Sequence, residues 1–136
     1  MKYLSALLTS FLFSAASYAC TCATPSVEEA FEKSDYVYVG IIESANLSDE
    51  KEVTNYLSVI KEFKGTRETD ILISNVSFSS CASPSAVGYE YVIFGTKGTS
   101  PKLESCSQTQ VLFNGKKELL SKLEKLAANK PINQDK

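Results

Sequence analysis

Four cysteines, Cys20, Cys22, Cys81 and Cys106, are the residues best equipped for chemistry in this chain, and their context decides which chemistry that is. They follow a segment with the marks of a secretory leader. Lys2 gives a positive start, Leu4 to Ala16 is mainly apolar, and Ser17-Tyr18-Ala19 is a small-x-small cleavage site. Removal of residues 1–19 as a signal peptide would leave all four cysteines in the mature chain, with Cys20 first. Ser5, Thr9, Ser10 and Ser14 interrupt the apolar run, which falls short of the roughly 20 residues of a membrane-spanning helix. An even number of cysteines in an exported chain predicts two disulfides, and sequence alone allows three pairings. A Cys20–Cys22 bond would close a very tight ring, so each is expected to reach a distant partner. The spacings, 58 residues between Cys22 and Cys81 and 24 between Cys81 and Cys106, are unlike the paired knuckles of a zinc site. Nor is there the Cys-x-x-Cys of a thiol redox centre.

The chain has no histidine, which removes Ser-His-Asp and Cys-His nucleophile systems and every histidine-ligated metal. Acid pairs such as Glu28 with Glu32, at i,i+4 spacing, remain, and two acids on one short helix face are ordinarily just solvated. The expectation is therefore a non-enzyme without a cofactor. The mature chain would carry 13 basic against 16 acidic residues, about −3 at neutral pH, which gives no electrostatic footprint for nucleic acid. No later segment is apolar enough to span a membrane, so no membrane partner is expected unless Cys20 is lipidated.

The 117 residues left after cleavage suit one domain over 20–129, with a flexible tail over 130–136. Thr24-Pro25-Ser26 ahead of Val27-Glu28-Glu29 predicts a short helix to about Lys33, capped by Ser26 or Thr24. Tyr36–Ile42 has strand composition, with Gly40 as a bulge or bend. Ser44 to Asn55 is polar and charged and is expected to be a loop at a hairpin tip. Tyr56–Phe63 and Ile71–Val76 predict two strands joined by a turn over Lys64–Thr69. Ser77–Gly88 is a loop carrying Cys81, Tyr89–Phe94 a fourth strand, and Ser105–Phe113 a fifth. Asn114-Gly115 turns the chain into Lys116–Ala128, where Leu119, Leu120, Leu123, Leu126 and Ala127 recur at helical spacing. Five strands with a short N-terminal and a longer C-terminal helix fit a mainly β fold, a five-stranded Greek-key barrel of the oligonucleotide/oligosaccharide-binding (OB) type, with a β-sandwich as the alternative.

Cys20-Thr21-Cys22-Ala23-Thr24-Pro25, then Ala30-Phe31, Ser34-Asp35-Tyr36-Val37, Phe63-Lys64-Gly65, Ser80-Cys81, Tyr89-Glu90-Tyr91 and Ser105-Cys106, carry a family likeness. In this order they resemble the tissue inhibitors of metalloproteinases and the related netrin-like modules, from Cys20 to about Leu126. The most specific element is Cys-x-Cys directly at the cleavage site. Glu32 stands where the vertebrate members have a further cysteine after Ala-Phe.

The resemblance implies a netrin-like barrel with Cys20 paired to Cys81 and Cys22 to Cys106. It also implies a monomeric, secreted inhibitor, extracellular or periplasmic, whose partner is a zinc metalloproteinase. The α-amino nitrogen and carbonyl oxygen of Cys20 would chelate the target's zinc through main-chain atoms only, at the position of the nucleophilic water. Thr21 would enter the primed specificity pocket, Cys22, Ala23 and Thr24 would follow the cleft, and Ser79 and Ser80 would line its other side. Two further readings stay open, a netrin-like binding module stapled by Cys20 and Cys22, and a lipoprotein acylated at Cys20. Asn46-Leu47-Ser48 and Asn75-Val76-Ser77 also fit the glycosylation sequon.

Overall fold

Ser26 begins the first element of the computed structural model, which describes residues 22–77, 81–114 and 116–129. Its hydroxyl accepts from the Glu29 amide at 3.2 Å, and the Glu29 carboxylate accepts from the Ser26 amide at 3.0 Å. This reciprocal capping box satisfies two amides that a helix start otherwise leaves without partners. Helix α1 (Val27–Lys33) follows and turns Phe31 inward. At its other end the Lys64 ammonium donates to the carbonyls of Phe31 at 2.6 Å, Glu32 at 3.0 Å and Ser34, so a cation sits on the negative end of the helix dipole.

The strands are β1 (Tyr36–Leu47), β2 (Glu52–Lys64), β3 (Ile71–Asn75), β4 (Glu90–Gly95) and β5 (Gln110–Val111), and helix α2 (Lys116–Ala128) closes the chain. They form one antiparallel sheet in the order β3-β2-β1-β4-β5. The protein is mainly β, as its sequence predicts. Register shifts at Val37/Tyr38, Val39/Gly40 and Ile42/Ser44 bend the β1–β2 ribbon, and the second falls at the glycine expected to mark a bulge.

The first half of β1 is apolar throughout because both of its faces are covered. Tyr36, Tyr38 and Ile42 pack with Leu57, Leu72, Tyr91, Ile93 and Leu103 on one face. Val37 and Val39 pack with Phe31, Phe63, Val92, Leu112 and Leu123 under the two helices. Gly95 has to be glycine, since a Cβ there would fall within the buried Tyr36 ring. The apolar stripe of α2 covers this second core, with Leu123 fully buried and Leu119, Leu120, Leu126 and Ala127 around it.

Two expectations need correction. Ser44–Asn55 is not a loop, since β1 runs on to Leu47 and β2 starts at Glu52, with Asn46 opposite Thr54 and Leu47 opposite Val53. Most of these side chains are exposed, so backbone pairing holds the ribbon and no burial period reveals it. The fifth strand is two residues, not Ser105–Phe113, because the chain turns at Cys106, where Ser107 N–H donates to Glu104 O at 3.1 Å.

β3 is also bonded to the segment that precedes β5. Ile73 N–H donates to Pro101 O at 2.9 Å, and Leu103 N–H donates to Ile73 O at 2.7 Å. This parallel bridge between Ile73 and Lys102 sets the segment leading to β5 against β3 at the opposite edge.

Candidate functional site

The described N-terminal arm, Cys22-Ala23-Thr24, is exposed and precedes α1. Cys22 is bonded to Cys106, 84 residues away, with the Cα atoms 5.7 Å apart, which is the pairing implied by the resemblance. Gln108 fastens the arm a second time by donating from Nε2 to Pro25 O at 2.6 Å. Cys81 is also in a disulfide. Cys20, Thr21, Ser79 and Ser80, the remaining residues of the expected site, lie outside the described residues.

The arm, the Cys81 loop and the Cys106 turn converge. Ser105, next to Cys106, donates from its hydroxyl to Cys81 O at 3.3 Å. A cavity of about 370 Å³ lies beside them, with Cys81 and Cys106 in its wall and the charges of Glu52, Lys102 and Glu104 around it. The rest of the Cys81 loop is secured to the sheet. Ala86 N–H donates to the Tyr91 hydroxyl at 2.9 Å, and Gly88 N–H donates to Ile42 O at 2.8 Å.

A third anchor was not foreseen in the sequence. Asn55, assigned above to the end of a polar loop, is fully buried at an inward position of β2, between Val53 and Leu57 in the alternation. Its Nδ2 donates to Leu72 O at 2.8 Å and to Ser74 Oγ at 3.0 Å, and its Oδ1 accepts from Ser85 Oγ at 2.6 Å. The run Val53-x-Asn55-x-Leu57-x-Val59 is the signal that could have found it, since the one polar residue shares the parity of the apolar ones.

Among the described residues, no group of three or more His, Cys, Asp or Glu is arranged to hold a metal. The Glu28 carboxylate pairs with Lys122 at 2.8 Å, and that hydrogen bond leads the causes that hold it below the ordinary carboxylate range. A general acid needs the opposite shift. No helix of the described residues is long and apolar enough to cross a membrane. The chain matches no family model and no curated protein.

Proposed function

We propose that this chain is a secreted inhibitor of zinc metalloendopeptidases, of the netrin-like type that its cysteine pattern resembles. The observation that carries the reading is the Cys22–Cys106 bond, which holds an exposed arm beside the Cys81 loop. An arm fixed before binding loses little conformational entropy on entering a cleft, as a tight inhibitor requires. A bond from Cys20 to Cys81, as the resemblance implies, belongs to this proposal, and the Cys22–Cys106 bond and the disulfide state of Cys81 are consistent with it. An OB-type barrel is part of this proposal. It is supported by the antiparallel order β3-β2-β1-β4-β5 together with the parallel bridge from β3 to residue 102.

Inhibition would run through main-chain atoms. The α-amine and carbonyl oxygen of Cys20 would together chelate the target's zinc, in place of its bound water. An α-amine in water titrates near 8, so coordination in neutral solution would also release a proton. Thr21 fills the primed pocket beyond. The zinc belongs to the protease.

Adding one alanine ahead of Cys20 tests the mechanism. The extended domain should keep its fold and both disulfides and lose inhibition of zinc proteases that the native form slows. Undiminished inhibition by the extended form would refute chelation, and a native domain with a free Cys20 amine that slows no zinc protease would refute the function. An intact-mass spectrum distinguishes a free amine from an acylated Cys20.

A further inference from the structure

The protons of the Asn55 cluster can be assigned from its heavy atoms. Ser85 spends its one hydroxyl hydrogen on Asn55 Oδ1 at 2.6 Å, so in the 2.9 Å contact between the two serine hydroxyls Ser74 must be the donor. Ser74 in turn accepts from Asn55 Nδ2 at 3.0 Å. The result is a closed ring, Asn55 Nδ2 to Ser74 Oγ to Ser85 Oγ to Asn55 Oδ1, in which each member donates once and accepts once. The second Asn55 amide hydrogen goes to Leu72 O at 2.8 Å. Such a ring accepts only one arrangement of its members, and hydrogen bonds arranged in a chain polarise and strengthen one another.

Its members come from three places. Asn55 lies on β2, Ser74 on β3, and Ser85 in the loop that carries Cys81. Two of them, Asn55 and Ser74, are almost completely buried in positions where apolar side chains would pack. An apolar pair would serve the core equally well but would give Ser85 nothing to bind. We propose that Asn55, Ser74 and Ser85 are positioning residues for the inhibitory edge. On this account the ring orients the Cys81 loop, and through the disulfide of Cys81 and the Ser105–Cys81 hydrogen bond it orients the N-terminal end offered to the protease. This inference rests on the inhibitory reading above.

Ser85→Ala opens the ring while leaving both disulfides and the apolar core intact, and Ser85→Thr restores the hydroxyl. Leu126→Ala, in the α2 core, serves as a control that lowers stability away from the edge. All are measured as mature domains, at a temperature where each is fully folded, against a zinc protease that the native domain inhibits. Ser85→Ala should weaken inhibition at least tenfold through faster dissociation, Ser85→Thr should return it to near the native value, and Leu126→Ala should leave it unchanged. The Ala86 and Gly88 amides should also exchange with solvent faster in Ser85→Ala alone. Native-like dissociation and amide exchange in Ser85→Ala would overturn the inference, as would equal weakening by Leu126→Ala. Failure of the native domain to inhibit any zinc protease is a separate outcome and removes the functional reading on which the inference rests.

Discussion

Replacing Cys22 and Cys106 together by alanine removes the one described covalent tie between the N-terminal arm and the sheet. In the chain-entropy model, a crosslink between residues 84 apart stabilises by about 4.5 kcal/mol. That figure assumes it is the only crosslink. With the proposed Cys20–Cys81 bond intact, the ring that Cys22–Cys106 closes runs back through Cys20 and on from Cys81, about 28 residues, and the same model gives about 3.5 kcal/mol. Either value is a large share of the roughly 5–15 kcal/mol that holds a domain folded. Urea unfolding followed by circular dichroism should therefore show a loss of about 3–4 kcal/mol, with a steeper dependence on urea because the less constrained unfolded chain exposes more surface. The domain should still fold below the transition, since neither apolar cluster includes these cysteines. Its arm, left with Gln108 to Pro25 as the described tie, should lose the proposed inhibition. A stability loss under about 1 kcal/mol with an unchanged urea slope would refute the view that this bond stabilises the domain by restricting the unfolded chain.

Lys64→Met should lower unfolding free energy by about 2 kcal/mol, because three carbonyls at the end of α1 lose a charged donor. Lys64→Arg should recover only part of this, as a planar fork cannot converge on three oxygens, and a Met variant within about 0.5 kcal/mol of native would contradict the capping role. Burial is the leading cause that raises the phenols of Tyr36, Tyr38 and Tyr91 above their ordinary range. Their contribution is fully present below the unfolded pKa near 10 and drains away as pH rises toward the folded values, because the unfolded chain ionises first. Denaturant stability should thus fall between pH 9 and pH 11, with a shallower fall in Tyr38→Phe, and tyrosinate absorbance from these three appearing before unfolding would contradict it.

What the sequence revealed of the fold follows where burial imprints a period or a cap imprints a motif. Helix α2 was legible because Leu119, Leu120, Leu123 and Leu126 face one core, and α1 because Ser26 and the acids after it form a helix start. The far half of the β1–β2 ribbon was not, since residues 43–52 are exposed and their pairing uses backbone groups that every residue carries. The fifth strand was overextended for a different reason. Its β-compatible composition continues through Ser105 and Cys106, but the crosslink and the Glu104–Ser107 turn divert the backbone.

At the candidate site the split lies between covalent and non-covalent support. Four cysteines announce crosslinks, whereas their pairing depends on contacts across 84 residues that no local pattern encodes, so only the resemblance anticipated Cys22 with Cys106. A disulfide sets a distance between two segments, here 5.7 Å between Cα atoms, and leaves their relative orientation to other contacts. Orientation needs directional bonds, and the ring through Asn55, Ser74 and Ser85 supplies them at the loop that holds Cys81. Asn55 is where this could have been read, because an amide placed on the buried parity of a strand is costly unless another segment completes its hydrogen bonds. A polar residue in an otherwise apolar alternation is thus evidence for a loop that must come to it.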